Sequence, residues 1–114
     1  LDLSGADDTV ATVLMDLARL DTAPQSSRLA DMLVASLAAA GARMNSRPRR
    51  DGPLAVLNAA DFPSVLVEVG FLSDDGDRDR LTSAAGRAIL VQGLVAGLRA
   101  WAADAAARAP LLRR

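Results

Sequence analysis

Val10, Val13, Leu14, Leu17 and Leu20 recur at helical spacing, which predicts a helix over about residues 9–20 with one apolar face. Asp7 and Asp8 stand before it as N-cap candidates. The stretch Asp21 to Pro24 is expected to end that helix, because Pro24 has no N–H for the helical ladder. A second stripe of Leu29, Met32, Leu33, Leu37 and Ala40 predicts a helix opened by Ser26 or Ser27 and closed by Gly41. Met44 through Pro53 is polar and rich in Arg and Pro, and reads as a loop.

The period then shortens. Leu54-Ala55-Val56-Leu57 and Val65-Leu66-Val67-Glu68-Val69 are apolar runs of strand length. Seven residues, Asn58 to Ser64, separate them, whereas a parallel crossover needs about a dozen. Neighbouring strands here would therefore be antiparallel. Alternation puts Val65, Val67 and Val69 on one face and Leu66, Glu68 and Gly70 on the other. Ser73 and the acids after it predict a helix start, with negative charge at the positive end of the dipole. Thr82 or Ser83 is expected to cap a long helix to about Ala107, with Ile89, Leu90, Leu94, Leu98 and Trp101 inward and a frayed tail from Pro110. The expected order is helix, helix, strand, strand, helix, helix. Two strands make no stable sheet alone, so the predicted class is α/β, a segment of a larger mixed sheet.

Composition narrows the function classes. The 114 residues allow one small domain, and 51% hydrophobic with 24% charged residues is ordinary for a globular chain. Thirteen basic against fourteen acidic residues leave a net charge of −1, which argues against a nucleic-acid partner. Arg47, Arg49 and Arg50 form the one local basic cluster, and a solvated loop is its plainest reading. With no cysteine there is neither a disulfide framework nor a thiolate metal site. No apolar run approaches the ~20 residues of a membrane span. The chain opens Leu1-Asp2-Leu3 without methionine, as a piece of a longer protein would.

Glu68 is the only glutamate, and it lies within the most apolar run of the chain. Burying a polar group without a partner costs about 2–7 kcal/mol, so Glu68 is expected to face a cleft or to meet a partner from elsewhere. The bland alternative is a salt bridge to an arginine such as Arg50 across the sheet edge. Asp61, before Phe62-Pro63, fits turn chemistry better than catalysis. Ser64 and Ser73 have no histidine in this chain to activate them.

The run Pro63-Ser64-Val65-Leu66-Val67-Glu68-Val69-Gly70-Phe71-Leu72-Ser73 resembles the P-[SA]-V-L-V-E-x-G-F-[LI]-[ST] signature of zinc-dependent N-acetylmuramoyl-L-alanine amidases, which hydrolyse peptidoglycan. Leu54 to Leu57 is similar to that family's F-x-V-L strand, and Arg50 falls where an arginine often precedes it. Asp2-Leu3 and Asp8 to Leu17 resemble the segment after the family's variable insertion. Ser26 to Leu37 resembles its next helix and Ile89 to Trp101 its closing helix. One departure is Ser73-Asp74-Asp75-Gly76-Asp77, where the family often reads S-N-P-E-E; on a surface helix start this bears little on chemistry.

The resemblance implies that residues 1–114 are the C-terminal part of one amidase catalytic domain. It implies zinc held by histidines and a glutamate in a missing N-terminal half, with no metal ligand from this chain. Glu68 carries over as the general base beside the zinc-bound water, returning the proton to the leaving amine of L-alanine. The implied partners are peptidoglycan and the missing half, the implied location the periplasm or cell envelope, and exposed edges would favour self-association of the piece. A different class of function remains open beside it: a non-catalytic interaction or assembly module derived from an amidase domain.

Overall fold

The computed structural model describes residues 7–52, 57 and 61–112. Among them the architecture is three helices: α1 over Asp8–Ala39, α2 over Asp75–Thr82 and α3 over Ala84–Leu112. No strand or sheet occurs among the described residues, so the predicted α/β mixed-sheet segment is corrected to an all-helical arrangement. Val65 to Val69 has no regular secondary structure despite its alternation, and no strand stands beside it among the described residues. Alternation marks only a preference; a strand also needs a neighbour to take its N–H and C=O groups. Of the other proposed strand only Leu57 is described, within a 3₁₀ turn; Leu54, Ala55 and Val56 lie outside the described residues.

The two helices expected before residue 41 are one. Asp7 caps α1, its carboxylate accepting from Val10 N–H at 2.8 Å, and the helix runs through Pro24. An internal proline costs about 3 kcal/mol, so something must offset it. The Gln25 side chain donates to the Asp21 carbonyl at 3.1 Å, next to the Leu20 carbonyl that Pro24 leaves without its helical donor. The indole N–H of Trp101 on α3 donates to the Gln25 carbonyl at 3.2 Å, and Arg28 on α1 lies 3.6 Å from Asp104 on α3. Packing on α3 thus overrides the local signal. Gly41 ends α1 as expected: it adopts φ 94°, and Gly41 and Ala42 N–H donate to the Ala38 and Leu37 carbonyls, the paired bonds of a Schellman motif.

α1 and α3 run antiparallel, with Leu37 against Gly93 and Leu33 against Gly97. Leu29, Leu33 and Leu37 are 7%, 5% and 8% exposed and form the buried hydrophobic core of the described residues. Gly93 and Gly97 are buried opposite them. Two glycines four apart let the α1 backbone approach closely. Sequence periodicity selected Leu98 as inward, but it is 50% exposed, because the contact face is the glycine face. Ser83 caps α3, accepting from Gly86 N–H at 3.0 Å, and the helix continues past Pro110 where a frayed tail was expected. Over Ala84–Pro110 it is long and apolar enough, by length and composition only, to cross a membrane. The expectation that no run approaches that length is corrected to this extent, although the stretch carries Arg87, Arg99, Asp104 and Arg108 and packs on α1.

Asp74 caps α2 by accepting from Asp77 N–H at 2.8 Å. Asp77 in turn accepts from Phe71 N–H at 3.1 Å and from Arg80, holding the end of segment 65–70 against α2. Gly70, at φ 151°, makes the bend between them. The Phe71 N–H foremost, then Arg80, holds the Asp77 carboxyl below its ordinary value of 3.8. A depressed carboxyl stabilises the folded form above its unfolded pKa, and that contribution disappears as pH falls through the folded pKa. The Phe71 amide resonance is therefore expected to titrate with a midpoint below 3.8 and to lose that titration in Asp77→Asn. A midpoint at or above 3.8 would contradict this brace.

Candidate functional site

Ser26 and Ser27 were expected to open a helix. They lie in the middle of α1 and serve as anchors. Ser26 Oγ accepts from Ser64 N–H at 2.9 Å, fixing the start of segment 64–69. Ser27 Oγ accepts from Arg49 Nη2 at 2.6 Å, fixing the arginine loop. Arg49 also lies 3.4 Å from Asp31 and 3.7 Å from Asp51. Two adjacent hydroxyls therefore hold two chain segments against one helix, and a space opens between the segments.

That space is a groove of about 620 Å³, within the range of ligand sites. Its floor is the α1 face around Ala30, Leu33, Val34 and Leu37, its one wall the loop through Arg50, its other wall Ser64 to Val69. Glu68 lines it and is exposed, in accord with the cleft-facing expectation. Its carboxylate has no hydrogen-bond or ion-pair partner among the described residues. Arg50 lines the same groove without pairing to it, so the salt-bridge alternative finds no support there. Asp51, the other acid of the lining, is engaged by Arg49. Asp61 sits in a bend outside the groove. Ser64 is spent on structure, and Ser73 lies in the turn before α2.

The sequence reading set Arg47, Arg49 and Arg50 aside as a solvated loop. The structure places all three on the groove, with Arg19 and Arg43. The available signal was the density of arginine in a short segment with Pro48 and Pro53 to stiffen it.

A catalytic zinc wants three protein ligands, commonly histidines. The chain has no histidine or cysteine, and no group of three acidic side chains able to hold a metal occurs among the described residues. The donor set does not fit a zinc centre. Isothermal titration of zinc into this chain alone is expected to show no sub-micromolar binding. A tight one-to-one site would mean that the ligand set is present after all.

Residues 8–100 match the family model described as N-acetylmuramoyl-L-alanine amidase. The chain is similar to a probable cell wall amidase LytH of Staphylococcus saprophyticus, with 37% identity over 73 residues. The match covers 64% of this chain and 25% of that relative, so the chain corresponds to about a quarter of the relative's length. No solved structure matches it. A family match across 8–100, with the glutamate-bearing signature segment forming one wall of the groove, settles the membership: the chain belongs to the N-acetylmuramoyl-L-alanine amidase family.

Proposed function

We propose that this chain is the C-terminal part of a peptidoglycan amidase catalytic domain that cleaves the amide between N-acetylmuramic acid and L-alanine, and that Glu68 is its proton-transferring carboxylate. The observation that carries the reading is the unpartnered Glu68 carboxylate on the wall of an open groove. Amide hydrolysis needs a group that takes a proton from the attacking water and gives one to the departing amine. A carboxylate engaged in an ion pair is hindered in both tasks; a free one in a cleft is available for them. The family's zinc would come with ligands from outside this chain, since the residues present do not fit it. Substrate in the cell wall places the working enzyme in the periplasm or envelope.

The test is the identity of the bond cut. Peptidoglycan treated with the polypeptide that contains this segment together with its zinc ligands is expected to gain alanine amino termini and no new reducing sugar ends. New reducing ends without alanine amines would replace the amidase reading by glycan cleavage. If neither product forms, the non-catalytic module takes its place.

A further inference from the structure

The groove carries more positive charge than catalysis by one carboxylate requires. Among the described residues five arginines and two acids line it. Three of the five have acidic neighbours: Arg19 with Asp16 at 3.1 Å, Arg43 with Asp74 and Asp77 at 3.9 Å, and Arg49 with Asp31 and Asp51. Arg47 and Arg50 have no side-chain partner among the described residues. Arg49 lies between them in sequence and is tied to Ser27 of α1, so the two guanidinium groups project from a loop fixed at its middle. Unpaired cations on a loop anchored at Arg49, lining a groove of ligand size, are what a substrate anion needs.

We infer that Arg47 and Arg50 bind a free carboxylate of the peptide released by the reaction, so that the enzyme selects acidic over amidated peptides. This rests on the proposed amidase reading and deepens it. Guanidinium groups pair with carboxylates in a planar, often two-pronged geometry. An N-acetylated sugar is neutral and gives them nothing to hold. The peptide beyond L-alanine ends in a carboxylate, and once the amide is cut that peptide is the leaving group. Arg47 and Arg50 hold its far end while Glu68 serves the amine at its near end. Their role is binding and positioning, separate from the proton transfer.

The test compares two probes on the zinc-loaded enzyme containing this segment: an N-acetylmuramoyl-L-alanyl peptide with free carboxylates, and the same compound with every peptide carboxyl converted to carboxamide. A hydrogen bond to a charged group corresponds to roughly 10–100-fold, so kcat/KM is expected to favour the free acid by about that factor. Arg47→Gln with Arg50→Gln is expected to bring the ratio close to one, and Arg50→Lys in the Arg47→Gln background to restore part of it. The ratio is taken on one preparation, so a partly unfolded variant does not distort it. A wild-type ratio near one, or a ratio that survives in the double Gln variant, overturns the inference. Glu68→Gln separates the two readings: normal turnover in that variant, with the ratio still dependent on the arginines, removes Glu68 as the base and leaves the carboxylate site standing.

Discussion

Glu68→Gln is expected to lower amidase turnover by about 10²–10⁴-fold, the usual worth of general acid–base catalysis, while the protein stays folded. The amide matches the carboxylate in shape and volume but cannot take a proton from water at neutral pH. Because the Glu68 carboxylate has no partner among the described residues, the change breaks no ion pair and leaves no charge stranded. A melting temperature close to that of the parent protein should accompany the lost rate. Glu68→Asp should also be strongly impaired. Its carboxylate is withdrawn by one methylene, and displacements near 1 Å can cost about 10²-fold. If Glu68 were only structural, the pattern would reverse, with a lower melting temperature and a normal rate per folded molecule. Melting temperature, zinc content and release of alanine amines, all measured on one preparation of the Gln variant, separate these cases. A stable, zinc-loaded variant with near-normal turnover removes Glu68 from the mechanism.

Gly93→Ala is expected to destabilise the α1–α3 pair by about 1–3 kcal/mol, the usual cost of overpacking, although alanine is the better helix former. At an open helix position the exchange should stabilise by about 1 kcal/mol. Here an added Cβ would stand 2.6 Å from Leu37 Cδ2 and 2.8 Å from Leu37 Cα. The side chain can turn away, but the Cα belongs to the α1 backbone and moves only with the helix. Gly97→Ala meets Leu33 in the same way, at 2.8 Å from Cδ2 and 3.0 Å from Cα. Gly76 in α2 is the control. Its added Cβ would lie 3.4 Å from the Arg80 guanidinium, the end of a flexible side chain, so Gly76→Ala should be neutral or stabilising. Circular dichroism melts of the three variants check the contrast. Equal, positive shifts at Gly76 and Gly93 would refute a close helix contact at Gly93.

Much of this protein was legible in its sequence, where the signal was local. Asp7, Gly41 and Ser83 mark helix ends because their side chains or backbone freedom satisfy groups within a few residues of themselves. The stripe Leu29, Leu33 and Leu37 is the buried one because its period fits one helix face. Glu68 stood out as a lone carboxylate among Val and Leu, and the signature around it gave the family, which the match over residues 8–100 bears out.

Other features depended on what lay across the chain. Pro24 reads as a helix end, but Trp101 and Asp104, far along the chain on α3, pack on the helix it was expected to break. The alternation of Val65 to Val69 reads as a strand, but a strand depends on a neighbour, and none stands beside it among the described residues. Hydrophobic periodicity placed Trp101 inward on α3, where it meets Gln25, but it missed Gly93 and Gly97, which make the close contact and have no side chain to register in such a pattern. Ser26 and Ser27 looked like helix starts until Ser64 and Arg49 were found on their hydroxyls. The sequence by itself determined the family and the helix ends capped by Asp7, Gly41 and Ser83, since each is carried by neighbouring residues. The groove, and the gathering of Arg47, Arg50 and Glu68 upon it, came only from tertiary structure, because distant segments meet there through hydrogen bonds that no local pattern encodes.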